Sequence, residues 1–275
     1  MKFKDRMLFL AVENILRKNK KFKNIHKGES CYLFGNGASL KYFDLKKFKD
    51  KPSIGCGALF LHRDFKELNV KYYYEGHSFF YYPYWVNPYS KKFKKNPMGA
   101  FYKQKKLVNK DMLSFCSLSN YLGMQGDNIF YAHHFGSPFN GFKNSKLDGS
   151  FSTMSSGLGG MLGLAIYMGF EDITLVGSDY SFFPQSQGHF FEHGRFPDTL
   201  HEEPIHKDLL LDAKQHADVR VITPGDEYQG HIVPCIGYKR LTGKDPVYRE
   251  NSEILSDLDL LKLDSFGMLY KIFPK

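Results

Sequence analysis

Four histidines, His189, His193, His201 and His206, fall within 18 residues of one another, with Glu192 among them. Imidazole changes its protonation near neutral pH, so this residue type suits a general base that takes a proton from a hydroxyl group. Histidine also binds zinc, but H-E-x-x-H is absent and Gly188, Gly194 and Pro197 oppose the helix that would put two of these side chains on one face. Asp148 and Asp179 form no D-x-D pair, so no divalent cation is demanded. All four histidines are therefore candidates for the base; the plainer alternative is loop histidines satisfied by water or nearby carboxylates.

A second set of residues suits anions. Tyr32 to Phe34 reads as a buried strand that breaks into Gly35-Asn36-Gly37-Ala38-Ser39. The glycines permit a tight turn with backbone close to a ligand, and Ser39 can cap the segment after it. This resembles a nucleotide-phosphate loop, although it lacks the third glycine of the dinucleotide fingerprint and the Gly-Lys-Ser/Thr of a P-loop, and an ordinary strand turn stays open. Ser155, Ser156 and Gly157 start a run to Phe170 so rich in glycine and alanine that a helix there must pack very closely. Unpaired N–H groups and the positive dipole end favour an anion at such a start, and Gly169 reads as a C-cap. Asp172 to Tyr180 reads as a buried strand ending in Gly177 and Asp179. Open α/β sheets gather ligands beyond the carboxyl ends of their strands. The two loops, Tyr180 and the helix start are thus expected to converge.

The elements that must position these groups read as α/β: strands at Tyr32–Phe34, Lys51–Cys56, Val70–Glu75, from Asp172, and at Val219–Pro224, with a short helix or turn at Tyr42–Phe48 and a helix at Leu209–Gln215. Alternation of this kind implies a mainly parallel sheet in one Rossmann-type domain, residues 28–250. Residues 80–150, aromatic, lysine-rich and broken by Pro83, Pro88, Pro97 and Pro138, read as an inserted lid-like region. Residues 1–27 read as an amphipathic helix, with Phe3, Met7, Leu10, Ala11 and Leu16 toward one side and a basic tail, able to dock on the domain or to lie on an anionic membrane surface. Residues 251–275 read as a helical tail. Neither a signal peptide nor a spanning run is read at the start.

A chain of 275 residues with 42% hydrophobic content can bury a real core. Its net charge of +9, from lysine clusters, attracts phosphates of any kind. Tyr72–Tyr74 could stack bases, but no recognition module accompanies them, which argues against nucleic acid. Cys31, Cys56, Cys116 and Cys235 lie too far apart for a zinc or disulfide framework, which fits a reducing cytoplasm. The missing G-x-S-x-G nucleophile elbow argues against a serine hydrolase.

Two motifs carry a family resemblance. Gly35-Asn36-Gly37-Ala38-Ser39-Leu40, and Ser155-Ser156-Gly157 followed by Ala165, Gly169-Phe170, Ile173, Leu175, Gly177 and Asp179-Tyr180, resemble the bacterial sialyltransferases of glycosyltransferase family 42. They equally resemble a wider bacterial group with the same core, including flagellin-glycosylation-associated and pterin pyrophosphokinase-like proteins. The likeness covers the first loop and residues 155–224. It implies a GT-A-like, metal-independent enzyme without cofactor that binds a CMP-activated, sialic-acid-like sugar and transfers it with inversion. Taken together with the basic amphipathic start, it leads us to expect a surface glycan acceptor and a place on the cytoplasmic face of the membrane. The resemblance sets Asn36 and Gly37 against the nucleotide phosphate, Ser155, Ser156 and Gly157 at the helix start and Asp179 near the nucleotide. The base would be His201, with His206 next, while the helix start at Ser155, Tyr180, His189 or a lysine of the inserted region suits phosphate stabilisation. Gly57, Glu75, Thr153 and Ser181 stand where the family has two asparagines, an arginine and a tyrosine, which leaves the donor sugar open. A pterin pyrophosphokinase-like enzyme using magnesium and ATP, and a non-catalytic interaction protein, are the alternatives; a homo-oligomer stays open.

Overall fold

The computed structural model describes residues 3–78, 81, 111–133, 138–153, 156–186, 188–192, 198–199, 206–230 and 232–250. Expectations for Ser155, His193, His201, the tail 251–275 and most of 80–110 lie outside these residues.

Eight strands form one sheet in which every neighbouring pair runs parallel: β1 (Ser30–Phe34), β2 (Ser53–Cys56), β3 (Val70–Glu75), β4 (Leu113–Ser117), β5 (Ile129–Ala132), β6 (Asp172–Val176), β9 (Asp218–Thr223) and β10 (Cys235–Gly237). Two short strands, β7 (Gln185–Ser186) and β8 (Asp198–Thr199), pair antiparallel outside it. The sheet order is β10-β9-β6-β1-β2-β3-β4-β5. From β1 the chain adds β2 to β5 on one side, then returns to lay β6, β9 and β10 on the other. This reversal between β1 and β6 is a topological switch point, the place where an open α/β sheet leaves a crevice.

The strands read as apolar runs because both faces are covered. Along β1, Tyr32 and Phe34 enter one core while Cys31 and Leu33 enter the other. The second core is roofed by α2 (Gly157–Met168), whose residues are nearly all buried. Three of its four glycines, Gly157, Gly160 and Gly163, follow a spacing of three and set the distance to the sheet. A Cβ on Gly157 would stand 2.7 Å from Cys56 Sγ, one on Gly160 1.9 Å from Tyr74 Cε1, and one on Gly163 2.8 Å from Phe151. Ser156 caps the helix, its Oγ accepting from the Gly159 N–H at 3.0 Å, and Gly169 closes it in the left-handed conformation.

The opposite core is closed mainly by short 3-10 turns, among them Ala38–Tyr42, Leu45–Phe48 and Leu59–Leu61. The helix or turn expected at Tyr42–Phe48 is thus the end of one such turn and the whole of the next. Ser39 is not a cap: Gly37 holds that position, and Ser39 lies buried inside the turn. The expected irregular stretch 80–150 is narrower, because β4 and β5 inside it extend the main sheet. The strand expected from Lys51 starts at Ser53, after Pro52, which has no N–H to donate but whose carbonyl accepts from Tyr32 at 3.2 Å.

At the start of the chain, α1 (Phe3–Arg17) buries Leu16 and packs Val12 and Ile15 on the core. Met7, Leu10 and Ala11 face outward instead of sharing the side of Leu16, and Leu8 is exposed with them. Among the described residues no helix is long and apolar enough to cross a membrane. All four cysteines are free thiols.

Candidate functional site

The loops leaving β1 and β6 continue the contact their strands begin. Gly35 N donates to Val176 O and Gly37 N to Gly177 O, both at 2.8 Å. A Cβ on Gly35 would come within 2.3 Å of the Gly177 carbonyl, and one on Gly37 within 2.3 Å of the Asp179 carboxyl. The glycines of the first loop are thus required by the close approach of the second loop, a reason that needs no ligand. Gly177 itself has φ +70, and a side chain there would also strike Leu40. Asp179 locks the junction: one carboxylate oxygen accepts from Ser39 N at 2.8 Å and the other from Ser39 Oγ at 2.5 Å. Two residues expected near a nucleotide are therefore bonded to each other at the base of the site.

Above this junction opens a cavity of about 220 Å3. It is lined by Gly35, Asn36 and Gly37 from the first loop and Gly177 to Ser181 from the second. Ser156, Gly157, Leu158 and Met161 of α2, Cys56 at the end of β2, and Gly188, His189 and His206 complete it. Of the sequence-derived site residues that are described, all but Ser39 face this one space, and Ser39 supports it through Asp179.

Four side-chain atoms in the lining are buried without a hydrogen-bond partner: Asn36 Oδ1, Ser178 Oγ, Ser181 Oγ and His206 Nδ1. A buried polar atom normally finds a partner, and leaving it unpaired costs about 1–3 kcal/mol. Four such atoms around one cavity form a set that a polar ligand would satisfy. At α2, Ser156 Oγ takes the Gly159 N–H, and helix geometry leaves the Gly157 and Leu158 N–H groups without intrahelical acceptors. Ser178 and Ser181 were missed by sequence reasoning; a serine in a strand-end loop has no spacing signal of its own.

Asn36 is held by its amide, which donates to Cys56 O at 3.2 Å, and it fills the space a side chain at Gly57 would need. His206 stands at the start of α3 (Lys207–Ala213), which is anchored by the buried Leu209, Leu210 and Ala213. Its ring meets Tyr180 edge-on, with centroids 6.4 Å apart, and burial lowers its pKa, which keeps the ring neutral. His189 is more open. It bridges to Gly37, its N–H donates to Glu192 Oε2 at 2.9 Å, and its ring stacks on Phe191. Among the described residues no group of three or more histidine, cysteine, aspartate or glutamate side chains could hold a metal ion.

Fold and site together define a doubly wound parallel α/β protein with an anion-suited crevice at its switch point. No protein-family model matches the chain, and no curated protein matches it. Among solved structures, it is similar to a point variant of the sialyltransferase CST-II in complex with CMP, at 15% identity over 87% of this chain and 99% of that chain, with a TM-score of 0.42.

Proposed function

We propose that the chain is an inverting, metal-independent glycosyltransferase that moves a sialic-acid-like sugar from a CMP-activated donor to a surface glycan acceptor. The observation that carries the reading is the set of unpartnered polar atoms around the switch-point cavity, facing the start of α2. The two loop motifs that resemble family 42 support it.

In this reading the donor phosphate lies at the Gly157 and Leu158 N–H groups and the hydroxyls of Ser178 and Ser181. An esterified nucleoside monophosphate carries one negative charge, which suits a lining of amide and hydroxyl dipoles. When the bond from the anomeric carbon to the phosphate oxygen breaks, charge grows on that phosphate, and the fixed dipoles at α2 stabilise it without rearrangement. The acceptor oxygen forms its bond to the anomeric carbon on the opposite face, which gives inversion, and its proton passes to His206. His206 fits because burial keeps it neutral and Nδ1 is free to accept. His189, beside the first loop, faces the leaving phosphate.

The test is thermal stabilisation by CMP, CDP, UDP, GDP and ATP, each with and without magnesium. CMP at about 100 times its Kd should add about 2.7 kcal/mol of stability with no magnesium present. His206→Gln should keep that stabilisation and lower transfer by about 100-fold or more. No response to CMP overturns the reading, and a response to ATP with magnesium alone redirects it to the pyrophosphokinase-like class.

A further inference from the structure

A lysine ammonium is seldom fully buried, yet Lys41, in the turn just after the first loop, is 1% exposed. It does not reach the cavity. Its Nζ donates to the Glu192 carbonyl at 2.5 Å, lies 3.8 Å from Glu250 Oε2 and stands 6.0 Å from the centre of the Tyr248 ring. These contacts join two segments far apart in the chain. One is the loop 188–192, which carries His189 and is pinned over the first loop by the Gly37–His189 bridge and by Phe190 N donating to Asn36 O at 3.0 Å. The other is the segment 247–250, laid along the turn by Val247 N donating to Tyr42 O at 3.0 Å and Arg249 N to Lys41 O at 2.8 Å. Tyr248 supports it by packing on Tyr42 and donating its hydroxyl to Glu250.

We infer that Lys41 is a positioning residue that fixes the His189 loop over the cavity and makes that loop's order depend on the docking of the segment 247–250. The Glu192 backbone is its handle. With its carbonyl held by Lys41, the Glu192 carboxylate stays placed to accept from His189 N and to lie 3.4 Å from His189 Nδ1, so the ring is aimed from both ends of one residue. Glu250 is the larger counter-charge, with the Glu192 carboxylate a second, and without such partners a buried ammonium is costly. Loss of the segment 247–250 would therefore loosen a loop on the far side of the lysine, a route by which events at this end of the chain regulate the site.

The consequence for His189 rests on the proposed function; the coupling itself does not. The experiment is hydrogen exchange of the full chain without ligand, read by peptide, for the wild type, Lys41→Met, Lys41→Arg and Glu250→Gln. Residues 188–192 should exchange about tenfold faster in Lys41→Met and to an intermediate degree in Glu250→Gln, with β1 and β6 unchanged and with recovery in Lys41→Arg. Unchanged exchange at 188–192 in Glu250→Gln overturns the coupling. A uniform rise across the whole chain in Lys41→Met, with Glu250→Gln silent, overturns it as well and leaves the lysine a purely structural role. CMP affinity measured on the same variants reads the proposed function separately, since its absence in all of them removes the nucleotide and leaves the exchange result standing.

Discussion

Asp179 lines the cavity and at the same time bonds together the two loops that form its base. Its carboxylate takes both the N–H and the hydroxyl of Ser39, and it is 3% exposed. An asparagine keeps one acceptor oxygen and loses the charge. Hydrogen bonds to charged groups are worth about 1.5–3 kcal/mol, so Asp179→Asn should lower stability in urea denaturation by about 2 kcal/mol. A variant that weakened nucleotide binding with an unchanged urea midpoint would contradict this and make Asp179 a direct contact. The glycines Gly35 and Gly37 were legible as a special loop because only two such residues break so apolar a run. The reason for them was not legible, because what fills the missing Cβ positions comes from Gly177 and Asp179, far along the chain. Lys41 was hidden for a similar cause: its partners are a carbonyl oxygen and a carboxylate beyond the reach of local spacing.

At the scale of elements, α2 sets the depth of the crevice, and Gly160 sets the height of α2 over β3. Alanine favours an isolated helix over glycine by about 1 kcal/mol. Here a Cβ would stand 1.9 Å from the Tyr74 ring, and overpacking of a filled core typically costs about 1–3 kcal/mol. The clash wins because Tyr74 is itself buried and cannot swing out. Gly160→Ala should therefore lower the melting temperature, and Tyr74→Leu in the same chain should restore part of it; a stabilised single variant would refute the close-packing account. Helix α2 and strand β3 were legible nearly to the residue, since an apolar run bounded by Ser156 and Gly169 and a tyrosine run with valine are strong local signals. Strands β4 and β5 were not, because short runs such as Leu113–Ser117 owe their extended form to pairing with neighbours rather than to composition.

The folded molecule holds the buried His62 and the half-buried His206 in neutral form. Burial lowers His62 from its ordinary value of 6.5 to about 3, with Arg63 and Arg249 adding to the effect, and lowers the half-buried His206 in the same direction. Below pH 6.5 the unfolded chain takes up protons that the folded chain refuses, so these groups leave stability unchanged above that value and reduce it as pH falls. Each contributes up to about 1.4 kcal/mol per pH unit until its folded pKa is reached. Urea midpoints should therefore drop between pH 7 and pH 5, and His62→Gln should flatten that slope. Equal midpoints in the wild type would show that these histidines are not held neutral.

The switch point also has a kinetic meaning. The bond between Ser39 and Asp179 spans 140 residues of sequence, and the pairing of β1 with β6 on which it rests is comparably long in range. Contacts of such separation pay their loop-closure entropy before they return any stability, so they are slow to form. The first loop emerges early in synthesis but has no second wall until β6 arrives. Completion of the cavity is therefore a late event in folding, and under the proposed function the recovery of nucleotide binding after dilution from denaturant would report completion of the two-sided sheet rather than formation of its first half.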